Sequence, residues 1–361
     1  MTDIPAFLKK MISAPGLSGY EVPIRQLIEE TWQPNEPGSF PLTNELSVSR
    51  IGSLHGFKRG TQTTDPRRSI LIATHMDAIG MMVTRIVDGF LYFTEIGGLD
   101  PRVLPGQPVT VFGREELPGI IVQPPAHLLP EDARNGVVPL DKLMIDTGFP
   151  ARRVSELVRP GDLVAFAQPP LNLGTDLLAG HSLDNRASVA ALTHCLDVLQ
   201  TRQHHWDVWA VATVQEEETL GGAATSAHHL RPDLAVAIDV TFGKEPNSPS
   251  HKTLELNKGP VLGWGPNIHP GIHKALKQAA ERLEMPTQFE IHTRHSGTDA
   301  HALQVAREGI PTMVISIPLR YMHTPVEVIH LKDVTRVGRL LAEFIAGLDG
   351  EFMEKLVWDE N

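Results

Sequence analysis

The sequence predicts an α/β fold: a mixed, mostly parallel sheet with helices on both faces, and a small β-barrel inserted into it. Three observations predict it. Ser69-Ile70-Leu71-Ile72-Ala73-Thr74 is an apolar run without alternation, the pattern of a strand buried on both faces at the centre of a parallel sheet. From Met81 to Pro170 the pattern changes to short alternating segments broken by Gly and Pro, the mark of a small barrel or sandwich. After Pro170 apolar strands alternate with helices, which gives a sheet covered on both sides. Residues 1–78 and 171–361 then form one discontinuous domain, and residues 79–170 are an insertion, a division that suits a chain of 361 residues.

The elements follow in order. Residues 7–12 read as a short amphipathic helix. Ser18-Gly19-Tyr20-Glu21 is a turn before a second helix with Val22, Leu27 and Ile28 on its apolar side. Residues 35–42 are a Pro/Gly-rich loop, and 69–74 are the buried strand. In the insertion, strands fall at 90–95, 109–112, 120–122 and 163–166, with a long loop over 124–139 and no long helix. Beyond it, residues 185–199 form a helix with Val189, Leu192, Leu196 and Leu199 on one side. Strands at 208–214, 234–238 and 312–317 alternate with helices at 272–283, 301–307 and 334–348.

Composition narrows the function. The hydrophobic fraction of 41% and charged fraction of 21% are those of a globular chain. No run reaches the length of a membrane span, because the most apolar stretch, around Leu71 to Val83, is interrupted by His75 and Asp77. The first residues lack the basic-then-apolar pattern of a signal peptide. The single Cys195 cannot pair within the chain, so a reducing, cytoplasmic location is expected. Net charge is −11 and the basic residues form no stripe, which disfavours nucleic-acid binding.

Five short motifs carry the chemistry: His75-Met76-Asp77, Leu183-Asp184-Asn185-Arg186, Gln215-Glu216-Glu217, Ile238-Asp239-Val240-Thr241 and Tyr321-Met322-His323-Thr324-Pro325. His75 follows the buried strand. It can hold a metal while Asp77, two residues on and on the same side of extended chain, engages its other ring nitrogen. A plain strand-end His and Asp is the competing reading. Asp184 precedes a helix, where Asp most often caps, and Arg186 could neutralise it; as a ligand it would bridge two metals. Glu216 and Glu217 follow a strand. Their side chains diverge in extended chain, so Glu217 can ligate while Glu216 serves as general base and acid. With Glu218 they could equally be a solvated acidic loop. Asp239 ends the strand 234–238, and His323 follows the strand 312–317. His75, Glu217 and Asp239 share one placement, the carboxyl ends of strands, where open α/β sheets bind ligands. That shared placement makes the separate bland readings jointly improbable. Mixed imidazole and carboxylate donors suit two Zn²⁺ or Co²⁺ ions better than Ca²⁺ or Mg²⁺. Such a pair activates water and polarises a carbonyl.

The ordered set resembles the tetrahedral-type dinuclear metallo-aminopeptidases, the glutamyl and deblocking aminopeptidases, over nearly the whole chain. Pro15-Gly16-Leu17-Ser18-Gly19-Tyr20-Glu21, Gly97-Gly98-Leu99-Asp100-Pro101 and Gly297-Thr298-Asp299-Ala300 add to the likeness, as does the long gap between His75 and Asp184. The resemblance implies a zinc-exopeptidase-like fold with His75, Asp184 and Asp239 on one metal and Asp184, Glu217 and His323 on the other. It implies Glu216 as base, Asp77 as the group orienting His75, and Gly297, Thr298 and Asp299 as candidate substrate-binding residues. The insertion would be a dimerisation domain, and the assembly a hollow dodecameric tetrahedron that admits peptides. Ala78 stands where the family often has Glu, and Glu218-Thr219 where it usually has Val-Gly. The activity implied is removal of N-terminal residues from peptides through a metal-bridged hydroxide. The alternatives are a metal-dependent deacylase or carboxypeptidase on the same scaffold, a glycosidase using the paired carboxylates, and a non-catalytic assembly protein.

Overall fold

The computed structural model describes the whole chain except residues 35–37, 39, 64, 129–135 and 359–361. The chain opens with α1 (Ile4–Ser13), capped by Asp3, and α2 (Val22–Trp32). Ile24, Ile28 and Trp32 are the buried face of α2, while Val22 is exposed. Leu27 packs against the same core, so of the three apolar residues expected on this face only Val22 lies outside it. Strands β1 (Glu45–Val48), β2 (Leu54–Lys58) and β3 (Ser69–His75) follow. The expected loop over 35–42 lies partly outside the described residues.

The next strands are β4 (Gly80–Val87), β5 (Phe90–Ile96), β6 (Pro108–Phe112), β7 (Glu116–Val122) and β8 (Met144–Asp146). Helix α3 (Ala151–Leu157) and β9 (Leu163–Phe166) complete this part. The six strands close into an antiparallel barrel in the order β4-β5-β8-β7-β6-β9. Alternation explains it: Met81 and Val83, Leu91 and Phe93, and Val109 and Val111 point inward and form the core of the barrel. The loop expected over 124–139 falls in part outside the described residues.

The remaining elements are β10 (Leu171–Leu173), β11 (Leu177–Gly180), α4 (Leu183–Val198), β12 (Asp207–Thr213), α5 (Glu216–Thr219), α6 (Gly221–Leu230) and β13 (Leu234–Phe242). After them come β14 (Val261–Trp264), α7 (Pro270–Arg282), β15 (Gln288–Ile291), α8 (Asp299–Gln304), β16 (Thr312–Arg320), β17 (Glu327–His330) and α9 (Leu331–Ala346). Among the described residues the sheet has eleven strands. Its centre, β12-β3-β13-β16, is parallel; β2 and β1 flank one side and β17, β11 and β10 the other, all antiparallel. Strand β14 branches from β16 and carries β15 at an edge. Helix α4 packs against β3 and between α1 and α9, so nearly every residue from Leu183 to Leu196 is buried. Helices α6 and α8 pack on each other and on β12, β13 and β3. Among the described residues no helix is long and apolar enough to cross a membrane.

Register positions the site. Thr213 of β12 pairs with His75 of β3, and Asp239 of β13 pairs with Ser316 of β16. Strand β13 does not end at Ile238 as the sequence suggested. Its ladder with β3 stops at Ala237, but β16 carries it on to Phe242. Asp239 therefore lies within a strand yet past the end of the β3 ladder, where its side chain is free to leave the sheet.

Candidate active site and metal centre

His75 closes β3 and is 2% exposed; Asp77 is wholly buried, with Oδ1 3.4 Å from His75 Nδ1. Asp77 also accepts from the backbone N–H of Glu216 (3.1 Å) and of Glu217 (3.2 Å). One carboxylate thus faces the imidazole Nδ1 and accepts from both amides of the turn that carries the paired glutamates. That turn is the single helical turn α5, not the extended chain expected from the sequence. Gln215, in the left-handed region at φ 57°, swings the chain out of β12 into it. Helical geometry sets neighbours about 100° apart. Glu216 Oε2 lies 3.8 Å from His75 Nε2, while Glu217 Oε2 lies 3.5 Å from His323 Nε2.

Asp184 stands at the start of α4 with non-helical φ −76° and ψ 105°, and its peptide bond to Asn185 is cis. It does not cap the helix. Its Oδ1 is 3.2 Å from His75 Nε2 and its Oδ2 3.4 Å from His323 Nε2. Asp239 Oδ1 is 3.8 Å from His75 Nε2. Arg186 does not neutralise Asp184. Fully buried, its guanidinium donates to the carbonyls of Met11, Ala14, Gly16 and Met76, and its charge faces Asp77 and Glu327.

Glu327 escaped the sequence reading. It is 1% exposed; Oε2 accepts from the N–H of Asp184 (3.1 Å) and Oε1 from the N–H of His323 (3.0 Å). Its signal was an acid set among Val326, Val328 and Ile329 just past the last motif. Glu21 plays a similar part: Oε1 accepts from the N–H of Gly19 (2.6 Å) and of Gln215 (3.1 Å). Gly297 and Thr298 line the cavity beside these donors, and Thr298 caps α8. Asp299 is buried behind them, its Oδ2 accepting from Thr213 Oγ1 at 2.5 Å, so it does not face the cavity. His295 lines the cavity and stacks on His301, with ring centres 4.6 Å apart. His181 meets Ser182 Oγ at 2.6 Å and lines a different cavity.

Electrostatics argue for a cation. Burial, reinforced by Asp239, Asp299 and Glu217 against the opposing pull of His75, pushes Glu216 up to about 10. Burial and Asp184 push Glu217 up to about 8, and burial drives Asp239 well above the carboxylate range. Burial also raises Asp299, to about 6. Burial opposes ionisation of Asp184 too, but His323 and His75 outweigh it and hold its carboxyl well below the usual range. Burial disfavours the His75 imidazolium, yet Glu216, Asp184, Asp77 and Asp239 together raise it; Asp184 lifts His323 to about 9. This crowd of acids has no Lys or Arg among the described residues lining its cavity. Ligand atoms of His75, Glu216 and Asp239, and of His75, Asp184 and Glu217, each converge within 4.8 Å. The donor set is nitrogen and oxygen only. It fits a divalent cation, and Glu216 stands closer to the donors than the separate base expected from the sequence.

The chain was compared with known proteins. The model of the M42 glutamyl aminopeptidase family matches residues 52–340. The chain belongs to this family. It is 34% identical to a lysyl aminopeptidase of Pyrococcus furiosus over 92% of this chain and 94% of that one. A TET aminopeptidase from a marine-sediment Thaumarchaeota archaeon superposes with a TM-score of 0.91 at 29% identity, covering 99% and 100% of the two chains. The Pyrococcus horikoshii TET1 peptidase, which can assemble into a tetrahedron or a large octahedral shell, superposes at 0.81 with 30% identity, covering 96% and 100%. As an M42 member with these converging donors, the chain is a metal-dependent aminopeptidase, a hydrolase of peptides. The deacylase, carboxypeptidase, glycosidase and non-catalytic alternatives give way to that assignment.

Proposed function

We propose that this chain removes N-terminal residues from peptides at a site for two divalent cations, Zn²⁺ or Co²⁺. His75, Asp184 and Asp239 would hold one, and Asp184, Glu217 and His323 the other. The observation that carries this reading is the disposition of Asp184: one carboxylate oxygen faces His75 and the other His323. Two cations, when bound, activate a water and polarise the scissile carbonyl.

The chain's own residues do the rest. Asp77 holds the His75 ring by its Nδ1 side, and Glu327 holds the backbones of Asp184 and His323. Glu216 takes a proton from the water and passes it to the leaving amine. Its carboxyl, raised to about 10 by burial and its neighbours, is suited to hold that proton, and nearby cations lower it again so that the base can form. Gly297 and Thr298 bound the space beside it for the substrate, and Asp299 supports that wall from behind. A Glu216→Gln protein should still bind two cations but lose roughly 10²- to 10⁴-fold in kcat. Full activity in that variant, with both cations counted, overturns the assignment.

The TET neighbours support a closed homo-oligomer, a tetrahedral dodecamer, with residues 79–170 as the dimerisation domain set into a catalytic domain of 1–78 and 171–361. The barrel strands running from Gly80 to Phe166 support that division. A cytoplasmic site of action fits the single buried Cys195. A solution mass near twelve times 39.6 kDa is expected, and a monomer would reject the assembly.

A further inference from the structure

The cavity that holds the metal donors has a volume of about 550 Å³ and reaches well beyond them. Its other end is built on β13 and the edge strand β15. Thr241 follows Asp239 by two residues, so both side chains leave the same face of β13, about 7 Å apart along the strand. Thr241 Oγ1 donates to Glu290 Oε1 at 2.7 Å and fixes the direction of that carboxylate. The second oxygen, Glu290 Oε2, is buried and has no hydrogen-bond partner. Its nearest basic group is His292 Nε2, 3.8 Å away and likewise without a hydrogen-bond partner. Phe242, Met322 and Leu220 supply apolar lining to the same cavity.

An acid held this way wants a donor. A buried oxygen left unpaired is costly, and among the described residues lining the cavity no Lys or Arg supplies the missing partner. We propose that Glu290 selects the side chain at the amino end of the substrate, and that this enzyme prefers peptides beginning with Lys or Arg. This rests on the aminopeptidase reading above. The long apolar stem of Lys or Arg would lie along the apolar lining, and its charged head would meet the Glu290 carboxylate, whose side chain lines the cavity, with a small shift bringing Oε2 into the bond. His292 in the tautomer with a bare Nε2 adds a second acceptor for the same head. An acidic side chain would meet a like charge here. An apolar one would leave Glu290 Oε2 unpaired.

The test is a set of kcat/KM values for Lys-, Arg-, Leu- and Glu-p-nitroanilide with the metal-loaded enzyme. Lys and Arg should exceed Leu and Glu by roughly 10- to 100-fold, the size of one hydrogen bond to a charged group. Glu290→Gln should collapse the Lys-to-Leu ratio by that factor, and Glu290→Lys should shift preference towards Glu. Thr241→Val, which leaves the carboxylate in place but unaimed, should lower the ratio less. A wild-type enzyme that favours Leu or Glu overturns the proposal. So does a Glu290→Gln enzyme that loses all four substrates alike, since that would place Glu290 on the substrate's α-amine or in the scaffold. No release from any of the four, nor from longer free-amine peptides, with two cations bound, overturns the aminopeptidase reading and this proposal with it.

Discussion

Asp77 and Glu327 are buried carboxylates that face the candidate ligands or accept from their backbone amides. Each spends its two oxygens on the neighbouring machinery: Asp77 on His75 and the amides of Glu216 and Glu217, Glu327 on the amides of Asp184 and His323. Arg186 supplies buried positive charge facing both. Two of the proposed ligands are shifted upward without a cation: burial and Asp184 push Glu217 up to about 8, and Asp184 lifts His323 to about 9. A raised group must give up its proton before it can ligate, so cation affinity should rise as pH rises through the neutral range and fall as pH drops. Calorimetric titration of Zn²⁺ in two buffers of different ionisation enthalpy should register release of more than about one proton per cation near pH 7. An affinity flat from pH 6 to 8 would contradict these shifts. At this scale the sequence is most legible where a polar residue closes or interrupts an apolar run, as at His75 and Asp239, which the structure brings within 3.8 Å of each other. Glu327 was hidden because its partners are backbone amides, which leave no trace in side-chain spacing.

The elements tell a different story about what could be read. The strands of the parallel centre are legible as largely apolar runs rich in Val, Ile, Leu and Ala, and helix α9 from its apolar face. Helix α6, with Gly and small residues and little periodicity, was missed, as were β14 and β15, whose pairing partners lie far off in sequence. The contact between barrel and active site was illegible too, although Gly97-Gly98 had been noticed. Gly97, at φ +73°, has its N–H bound to Glu218 Oε1 at 2.6 Å, and a Cβ there would meet Ile79 at 2.5 Å. A Cβ at Gly98 would lie 3.1 Å from His323 Nδ1. The loop after β5 is therefore the backing of the His323 ring, and Glu218, one of the departures from the family pattern, ties it down. Gly98→Ala should displace that ring and weaken the cation position it shares with Glu217 by about 10- to 100-fold, read by Co²⁺ absorbance titration. Glu218→Ala should act in the same direction but less. Two cations bound at wild-type affinity in Gly98→Ala would sink the idea that this loop supports the site.

The whole molecule has two hydrophobic cores, and the distribution of its charge suggests which of them depends on metal. One core gathers β3, β12, β13 and β16 with α1, α4 and α9; the other fills the barrel. Where they meet there is a small cluster, Leu17, Ile96 and Ala165, with Met82, Phe112 and Leu163 against it, beside the contacts of Gly97 and Gly98 with Glu218 and His323. Two cores gathered separately are expected to open as separable units. The crowded carboxylates all sit on the sheet domain, Glu216 and Glu217 on α5 just past β12 and Asp239 within β13, so ligand linkage acts there. Removing the cations should therefore lower protection in β3, α4, β12 and β13 far more than in β6, β7 and β9. Hydrogen exchange read by mass spectrometry, with and without Zn²⁺, measures this segment by segment. The loop 97–100 should lose protection to an intermediate degree, since Leu99 is part of the barrel core while Gly97 and Gly98 meet Glu218 and the His323 ring. Uniform loss of protection across both cores on chelation would mean that the joint, small as it is, transmits the whole of the metal's stabilisation.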